Sequence, residues 1–162
     1  MGTGFFGKLP SAGDFVARGL PEGLQNVLDR WVTAQIAPLV RVAEGWPEGG
    51  VRVAVVLKDA PWLLVIEPGF DAVGRRYPLV ACGPQAGADR AAADIWADAA
   101  SAALECATAQ NAPPDALRDL LAQIPAPTAA LVPVAPPLLW WGGVAPGPVQ
   151  QQLARLARLS SG

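Results

Sequence analysis

The sequence predicts an α/β fold in which helices pack in layers around one mixed β-sheet. Short apolar, β-branched runs alternate along the chain with segments whose apolar residues recur at helical spacing. Hydrophobic residues make up 52 % of the chain and charged residues only 16 %, which excludes intrinsic disorder. The length of 162 residues suits one domain, and no repeat or long linker divides it. We therefore expect a single domain over residues 1–162.

The chain opens with a predicted strand, a turn and a helix. Residues 4–9 are short, apolar and aromatic, and residues 10–14 are turn formers. Residues 22–37 are predicted to form an amphipathic helix, because apolar side chains recur there at the i, i+3, i+4, i+7 spacing of one helical face. The members of this face are Leu24, Val27, Leu28 and Trp31. We therefore place Trp31 in the core and expect Pro38 to end or kink the helix.

The middle of the chain predicts a hairpin, a further strand and a long helix. Residues 51–57 and 62–67 are apolar and β-branched, and residues 58–61 between them are typical of a hairpin loop. Residues 77–82 form another short apolar run. An alanine-rich helix is predicted over residues 89–109, with an aspartate at its N-cap.

The last part of the chain predicts two helices and a strand around a proline-rich connection. A short helix is predicted over residues 115–124. Residues 125–137 contain five prolines and are predicted to be extended, because proline cannot donate to a ladder or a helix. A late strand follows over residues 138–141, and a last helix over residues 149–159.

Composition excludes several classes of function. The chain has no histidine, so it has no Ser-His-Asp or Cys-His machinery and no histidine-ligated zinc. Its formal net charge of −2 gives no electrostatic footprint for nucleic acid. No window approaches the ~20 apolar residues of a membrane-spanning helix, and the N-terminus lacks the features of a signal peptide. We expect a cytoplasmic protein with no cofactor, no metal, no nucleic-acid partner and no membrane insertion.

A glycine-rich motif at the N-terminus matches a nucleotide-binding pattern only in its letters. Residues 2–8 spell G-x-G-x-x-G followed by lysine. The dinucleotide fingerprint must follow a strand and open a helix, whereas Pro10 comes before any helix can begin. A P-loop also needs serine or threonine where this chain has Leu9. We predict that this motif binds no nucleotide.

The cysteines and one carboxylate pair are predicted to be structural. Cys82 and Cys106 are expected to be buried thiols that act as small hydrophobes, because no histidine is present to activate a nucleophile. Asp94 and Asp98 lie four residues apart on the predicted long helix. We expect them to be a solvated pair, since general acid or base work requires burial.

The loop after the first strand contains polar residues that a turn does not need. It places Lys8, Ser11 and Asp14 directly after an apolar strand. Turn chemistry explains Asp14 together with its proline and glycine neighbours. Lys8 and Ser11 have no such explanation, so we expect them to contact a partner.

A second charged segment precedes the strand at residues 77–82. Asp71 lies four residues before Arg75, across a glycine. The favoured interpretation is a charge-assisted pair that fixes the loop, and the alternative is an arginine presented to a partner. Because loops at the ends of sheet strands commonly carry binding groups, we expect residues 8–14 and 71–75 to lie close together and to form one surface.

Four segments of the chain carry a family resemblance. They are Gly-Phe-Phe-Gly-Lys-Leu-Pro-Ser-Ala-Gly-Asp-Phe-Val at residues 4–16, Leu-Asp-Arg-Trp at residues 28–31, Asp-x-Val-Gly-Arg-x-Tyr-Pro-Leu at residues 71–79, and Leu-Trp-Trp at residues 139–141. In this order they resemble the N-terminal domain of TagF (also called ImpM), an accessory protein of bacterial type VI secretion. One departure is Gly69, which stands where the family usually has serine, and the stretch before Asp71 is also shorter than usual.

The resemblance implies a three-layer α/β/α sandwich and a cytoplasmic, non-enzymatic regulator. Members of the family repress type VI secretion after translation and are linked to a forkhead-associated scaffold protein and to threonine phosphorylation. We expect the partner to bind at Lys8, Ser11, Asp14, Asp71 and Arg75. Two alternatives remain at this point. One is an enzyme or small-ligand protein that uses the Lys8/Ser11/Asp14 loop with Arg75, and the other is a structural subunit of the secretion machinery.

Overall fold

The computed structural model describes residues 2–40 and 45–160, and within them a six-stranded sheet forms the centre of the fold. The strands are β1 (Gly4–Gly7), β2 (Val16–Arg18), β3 (Val51–Leu57), β4 (Ala60–Phe70), β5 (Arg76–Pro84) and β6 (Leu138–Trp140). Their spatial order is β2-β1-β5-β4-β3-β6, and all five pairings are antiparallel. The predicted α/β class is confirmed. The sheet is antiparallel where a mixed sheet was expected, because short turns join β3, β4 and β5 and a parallel pair needs a long crossover.

Helices cover both faces of the sheet. They are α1 (Leu24–Gln35), α2 (Ala37–Val40), α3 (Arg90–Ala109), α4 (Pro114–Ala122) and α5 (Val149–Ser160). Helices α1, α2 and α5 pack on one face, and α3 and α4 pack on the other. The three-layer arrangement is therefore confirmed. Among the described residues, no helix is long and apolar enough to cross a membrane.

Strand β4 divides the core between the two faces. Its side chains alternate in the usual way of a strand, so that Leu64 and Ile66 pack under α1 while Leu63 and Val65 pack under α3. All four are at most 1 % exposed. A strand buried on both faces needs an unbroken apolar sequence, and this explains why the alternation of polar and apolar residues is missing here.

Most of the predicted elements are present, with shifted ends. The β3–β4 turn contains only Lys58 and Asp59, both at positive φ (49° and 62°), as a two-residue turn of type I′ requires. Residues 60 and 61, predicted as loop, belong to β4. Helix α1 ends before Pro38, as expected, and residues 125–137 contain no helix or strand. Strand β2 was not predicted, because three residues are too few to show a period.

The core prediction for Trp31 needs correction. The buried face of α1 is formed by Leu24, Leu28 and Val32, which follow one another at intervals of four residues. Trp31 lies beside this stripe and is only partly buried against the core. The i, i+3 and i, i+4 spacings share the same first residues, so the sequence pattern did not separate the centre of the face from its flank.

Asp94 and Asp98 on α3 were expected to be a solvated pair, but both accept hydrogen bonds from a buried arginine. The guanidinium of Arg52, buried on β3, donates to Asp94 Oδ1 at 2.7 Å and to Asp98 Oδ1 at 2.5 Å. The indole of Trp140 also donates to Asp94 Oδ1, at 2.8 Å. These bonds fasten α3 to the sheet. The sequence did not show them because Arg52 lies 42 residues before its nearer partner.

The cysteines are free thiols, with no disulfide between them. Cys82 is buried on β5, and its burial raises the pKa of the thiol to about 12. Cys106 on α3 is half-buried. At neutral pH Cys82 is therefore protonated and packs as a small apolar side chain.

A buried glutamate lies between β4 and α3. Glu67 is 8 % exposed and accepts a hydrogen bond from Ser101 Oγ at 3.1 Å. Burial raises its pKa to about 7; the Ser101 bond and the charge of Arg52 oppose this rise, and the charge of Glu105 adds to it. Gly50 lies directly against this carboxylate, since a Cβ atom there would overlap Glu67 Oε1.

The burial of Glu67 predicts a loss of stability with rising pH. In the folded state Glu67 holds its proton up to about pH 7, whereas in the unfolded chain it loses the proton near the ordinary pKa of 4.5. The stabilisation that this site contributes is therefore complete below pH 4.5 and is lost as the pH rises from 4.5 to about 7. The decline reaches at most about 3 kcal/mol. Glu67→Gln removes this titration, so urea unfolding between pH 5 and pH 8 should show a flatter profile. Glu22→Gln, at an exposed position, is the control, and equal slopes in both variants would contradict the prediction.

The position of Trp31 beside the buried face of α1 predicts a modest role in stability. Trp31→Ala should lower the free energy of unfolding by about 1–2 kcal/mol, because part of the indole is already in water. Leu28→Ala, which empties a fully buried site on the same helix, should cost about 2–5 kcal/mol. Chemical denaturation of both variants gives the comparison. A larger loss for Trp31→Ala than for Leu28→Ala would place the indole at the centre of the core.

Candidate functional site

The two charged segments singled out in the sequence meet at one end of the sheet. Strand β1 ends at Gly7 beside Leu79, and β4 ends at Phe70 opposite Arg76, so the chain leaves both strands at the same end. The backbone N–H of Ala72 donates to the carbonyl of Ala12 at 2.8 Å. We call residues 8–15 and 70–76 the corner. The expectation that these segments lie close together is confirmed.

The carboxylate of Asp71 lies at the centre of the corner, and its side chain is fully buried. Its Oδ2 atom accepts from Lys8 Nζ at 3.0 Å and from Arg75 Nε at 2.8 Å. Its Oδ1 atom accepts from the backbone N–H groups of Val73 at 3.1 Å and Arg75 at 2.9 Å. Four donors thus satisfy one buried charge, and together they fix the turn between β4 and β5.

The electrostatics of Asp71 follow from these bonds. Burial alone would raise the pKa of the carboxyl group. The hydrogen bonds from Lys8, from the backbone of Arg75 and Val73 and from the Arg75 side chain outweigh burial and hold the pKa well below its usual range. Asp71 is therefore an anion at physiological pH, and it does not serve as a proton donor or acceptor there.

Lys8 and Ser11 both have partners within the chain. The Lys8 side chain is 9 % exposed, and besides its bond to Asp71 its ammonium lies 4.9 Å from the centroid of the Phe15 ring. Ser11 Oγ donates to the carbonyl of Ala112 at 2.7 Å, which ties the loop to the connection between α3 and α4. These bonds account for two residues that a turn alone left unexplained.

The second segment of the resemblance, residues 28–31 on α1, reaches the corner through Tyr77 and an aromatic cluster. Phe15 packs edge-on against Tyr77, at 4.8 Å between ring centroids, and lies parallel to Phe6 at 6.1 Å. The Tyr77 hydroxyl donates to Asp29 Oδ1 at 3.2 Å and lies 2.8 Å from Thr33 Oγ1. Helix α1 is thus joined to the corner by both polar and aromatic contacts.

The five predicted site residues differ in exposure and fall into three groups. Lys8 and Asp71 are buried and hold the corner together. Arg75 is 64 % exposed at its side chain, although its Nη2 donates to the carbonyl of Gly13 at 3.0 Å. Asp14 is exposed, and its Oδ1 accepts from its neighbouring backbone N–H at 2.7 Å. Ser11 is half-buried. Only Arg75 and Asp14 present most of their side chains to a partner.

Sequence reasoning missed the apolar part of the corner. Three large apolar side chains are exposed here: Phe15 (47 %), Phe70 (40 %) and Val73 (73 %). Arg76, opposite Phe70 in the strand pairing, is also exposed. An apolar residue beside a strand normally predicts burial, so no sequence pattern indicated that these side chains face water.

The glycine that departs from the family pattern has a structural reason. A Cβ atom at Gly69 would lie 2.7 Å from the carbonyl oxygens of both Lys8 and Tyr77. Such distances are too short for any side chain, so serine does not fit this backbone. The close approach of β4 to the corner loop depends on the glycine.

The described part of the chain offers little for a metal or a small ligand. No group of three or more acidic or cysteine side chains is placed to hold a metal ion there. The polar groups around Asp71 already bond to one another. An apolar groove of about 270 Å³ lies elsewhere, between α3 and residues 124–128, and Ile95 and Trp96 form part of its lining. The chemistry of the corner suits contact with another molecule better than catalysis.

The four hydrogen bonds to the buried Asp71 carboxylate predict that removing its charge destabilises the protein. Asp71→Asn leaves the Lys8 ammonium buried without its counter-ion, so the melting temperature should fall by several degrees. Because the pKa of Asp71 is depressed, wild-type stability from this site is present above about pH 4 and is lost as the pH falls further. Thermal melts at pH 3 to 7 should show that Asp71→Asn lacks this part of the loss of stability in acid. Asp14→Asn, at an exposed carboxylate of the corner, is the control, and equal melting temperatures of Asp71→Asn and wild type would refute the role of Asp71 in holding the corner together.

Comparison with known proteins bears on the identity of the chain. The TagF N-terminal domain, described as type VI secretion system-associated, matches residues 4–124, about three quarters of the chain and the whole of the corner. The crystal structure of PA0076 from Pseudomonas aeruginosa PAO1 is similar, with a TM-score of 0.62 and 27 % sequence identity over 96 % of this chain and 77 % of that chain. No curated protein matches. The chain belongs to the TagF N-terminal domain family and is a type VI secretion-associated protein.

Proposed function

We propose that this protein represses type VI secretion after translation by binding a forkhead-associated scaffold protein in the cytoplasm, as a single non-catalytic domain. The observation that carries the proposal is the corner. There two of the four segments that mark the family, residues 4–16 and 71–79, meet at one buried carboxylate and leave apolar and cationic side chains in water. An exposed surface that a protein holds rigidly is typical of a binding site.

The electrostatics of the corner favour binding over catalysis. Lys8, Asp71 and Arg75 satisfy one another, so no acid, base or nucleophile is poised among them. Burial holds the thiol of Cys82 in its protonated form. Both features support a protein that acts by binding its partner.

The proposed roles differ among the five site residues. Arg75 and Asp14 contact the scaffold. Lys8, Ser11 and Asp71 position the loops that carry them, through bonds made inside the chain. Substitution of Lys8, Ser11 or Asp71 should destabilise the free protein, whereas substitution of Asp14 should affect binding alone. Arg75 has both roles, because its Nε also donates to Asp71, so Arg75→Ala should weaken binding and lower stability together.

The proposal predicts that Arg75→Ala weakens scaffold binding. Isothermal titration against the forkhead-associated scaffold of the same bacterium should show affinity lower by about tenfold or more, because an exposed guanidinium at an interface forms charge-assisted bonds. Arg90→Ala is the matched control, since Arg90 also pairs with an aspartate four residues away, is 41 % exposed, and lies on α3. It should bind as wild type does.

A secretion assay connects binding to repression. Cells that lack the gene should secrete more, wild-type protein should restore repression, and Arg75→Ala should restore less of it. If wild-type protein fails to bind the scaffold and instead co-purifies with sheath or baseplate proteins alone, the protein is a structural subunit. Turnover of a phosphorylated or carboxylated compound that is lost in Lys8→Ala would establish an enzyme instead.

A further inference from the structure

The corner concentrates the exposed apolar surface of the molecule. The described residues include nine exposed large apolar residues, and three of them belong to the corner: Phe15, Phe70 and Val73. The other six are distributed over β3, α3, α4, α5 and the proline-rich connection. A group of exposed apolar side chains at one place marks a contact surface more reliably than scattered ones do.

The charge of the corner differs in sign from the charge of the whole chain. It contains three cations, Lys8, Arg75 and Arg76, and two carboxylates, Asp14 and Asp71, so it is positive within a chain of formal net charge −2. Asp71 is buried beneath Lys8 and Arg75 and does not face a partner. Within the described chain the guanidinium of Arg76 makes no side-chain hydrogen bond or ion pair, and the Nη1 atom of Arg75 is likewise unpartnered. Two guanidinium groups are therefore available to an anionic partner.

The apolar and cationic groups of the corner are held in place before any partner arrives. The turn that carries Val73 and Arg75 is fixed by the bonds to Asp71, and Phe15 is held against Tyr77. A surface that is already ordered loses little conformational entropy on binding, so even a short segment can be recognised.

We propose that the corner recognises an acidic protein segment whose carboxylates pair with Arg75 and Arg76 and whose apolar side chain packs among Phe15, Phe70 and Val73. This inference rests on the proposed function, because it names the chemistry of the scaffold segment that this surface binds. We take the partner segment to be anionic because the accessible charged groups of the corner are mainly guanidinium groups. We take it to be partly apolar because the rest of the exposed surface of the corner is apolar.

The number of accessible cations separates this partner from other polyanions. Two exposed arginines fall short of the about four to eight basic residues that recruit a protein to an acidic membrane. They also fall short of the about six to ten phosphate contacts of a typical DNA-binding surface. A protein segment needs fewer charges, because buried apolar area supplies part of its affinity.

Substitutions in the corner test the inference on the whole protein. Val73→Asp and Arg76→Glu change exposed side chains and should preserve the melting temperature, while each should weaken scaffold binding by about tenfold or more. Ile95→Asp on α3 is the matched control for Val73→Asp, since the two residues are 74 % and 73 % exposed. Lys58→Glu, in the turn at the far end of β4, is the control for charge. Both controls should bind within about twofold of wild type, as surface changes outside an interface do.

A peptide experiment tests the same surface without the scaffold. A synthetic peptide of alternating glutamate and leucine should shift the backbone amide NMR signals of residues 13–15 and 70–76, and less so in high salt. The same peptide with lysine in place of glutamate should leave these signals unchanged. The inference is overturned if both peptides act alike, if the shifts map to the groove beside Ile95, or if only anionic phospholipid vesicles bind and Val73→Asp abolishes that binding.

The two experiments separate this inference from the proposed function. If the scaffold binds wild type, Val73→Asp and Arg76→Glu equally, the proposed function stands and the corner is not the recognition surface. If the scaffold does not bind wild-type protein while the acidic peptide binds at the corner, the recognition chemistry stands and the proposed function is wrong.

Discussion

The fold of the corner depends on one buried carboxylate. Asp71 is an anion out of contact with water, and a buried anion persists only when positive and hydrogen-bonding groups surround it. The chain meets this requirement with a lysine from the loop after β1, an arginine from the turn before β5 and two backbone N–H groups. Segments 63 residues apart are thereby held at one place. The buried Asp71 carboxylate thereby holds the exposed side chains of the corner in position.

The same principle operates in the layer between α3 and the sheet, with a different outcome. Arg52 is buried and paired with two aspartates of α3, so its charge is compensated. Glu67 is buried nearby with one hydroxyl donor and a second glutamate in its surroundings, so its charge is poorly compensated and it holds a proton instead. One interface thus contains an ion pair that fastens the helix and an acid that loses its proton only near pH 7. The difference lies in the number of donors that each carboxylate receives.

The sequence was informative where a local pattern carried the information. Helical spacing located α1, and the apolar runs located β3, β4 and β5, because the periods of these elements repeat within a few residues. The pairing of Asp71 with Arg75 was also foreseen, since both residues belong to one turn. The bonds of Lys8, Ser11 and Arg52 were not, because their partners lie between 42 and 101 residues away. The exposure of Phe15, Phe70 and Val73 was not predicted for a related reason. Whether an apolar side chain is buried depends on which distant parts of the chain pack against it.

The two outer strands of the sheet have a consequence for the behaviour of the protein at high concentration. Strands β2 and β6 border the sheet and contain three residues each, whereas the inner strands β3, β4 and β5 contain seven to eleven. A border this short presents few free backbone groups, so another chain gains little by adding a strand to it. Strand β4, the longest of the six, is paired on both sides, by β3 and by β5. An antiparallel sheet rich in apolar residues is in this way protected from growing by the addition of further molecules.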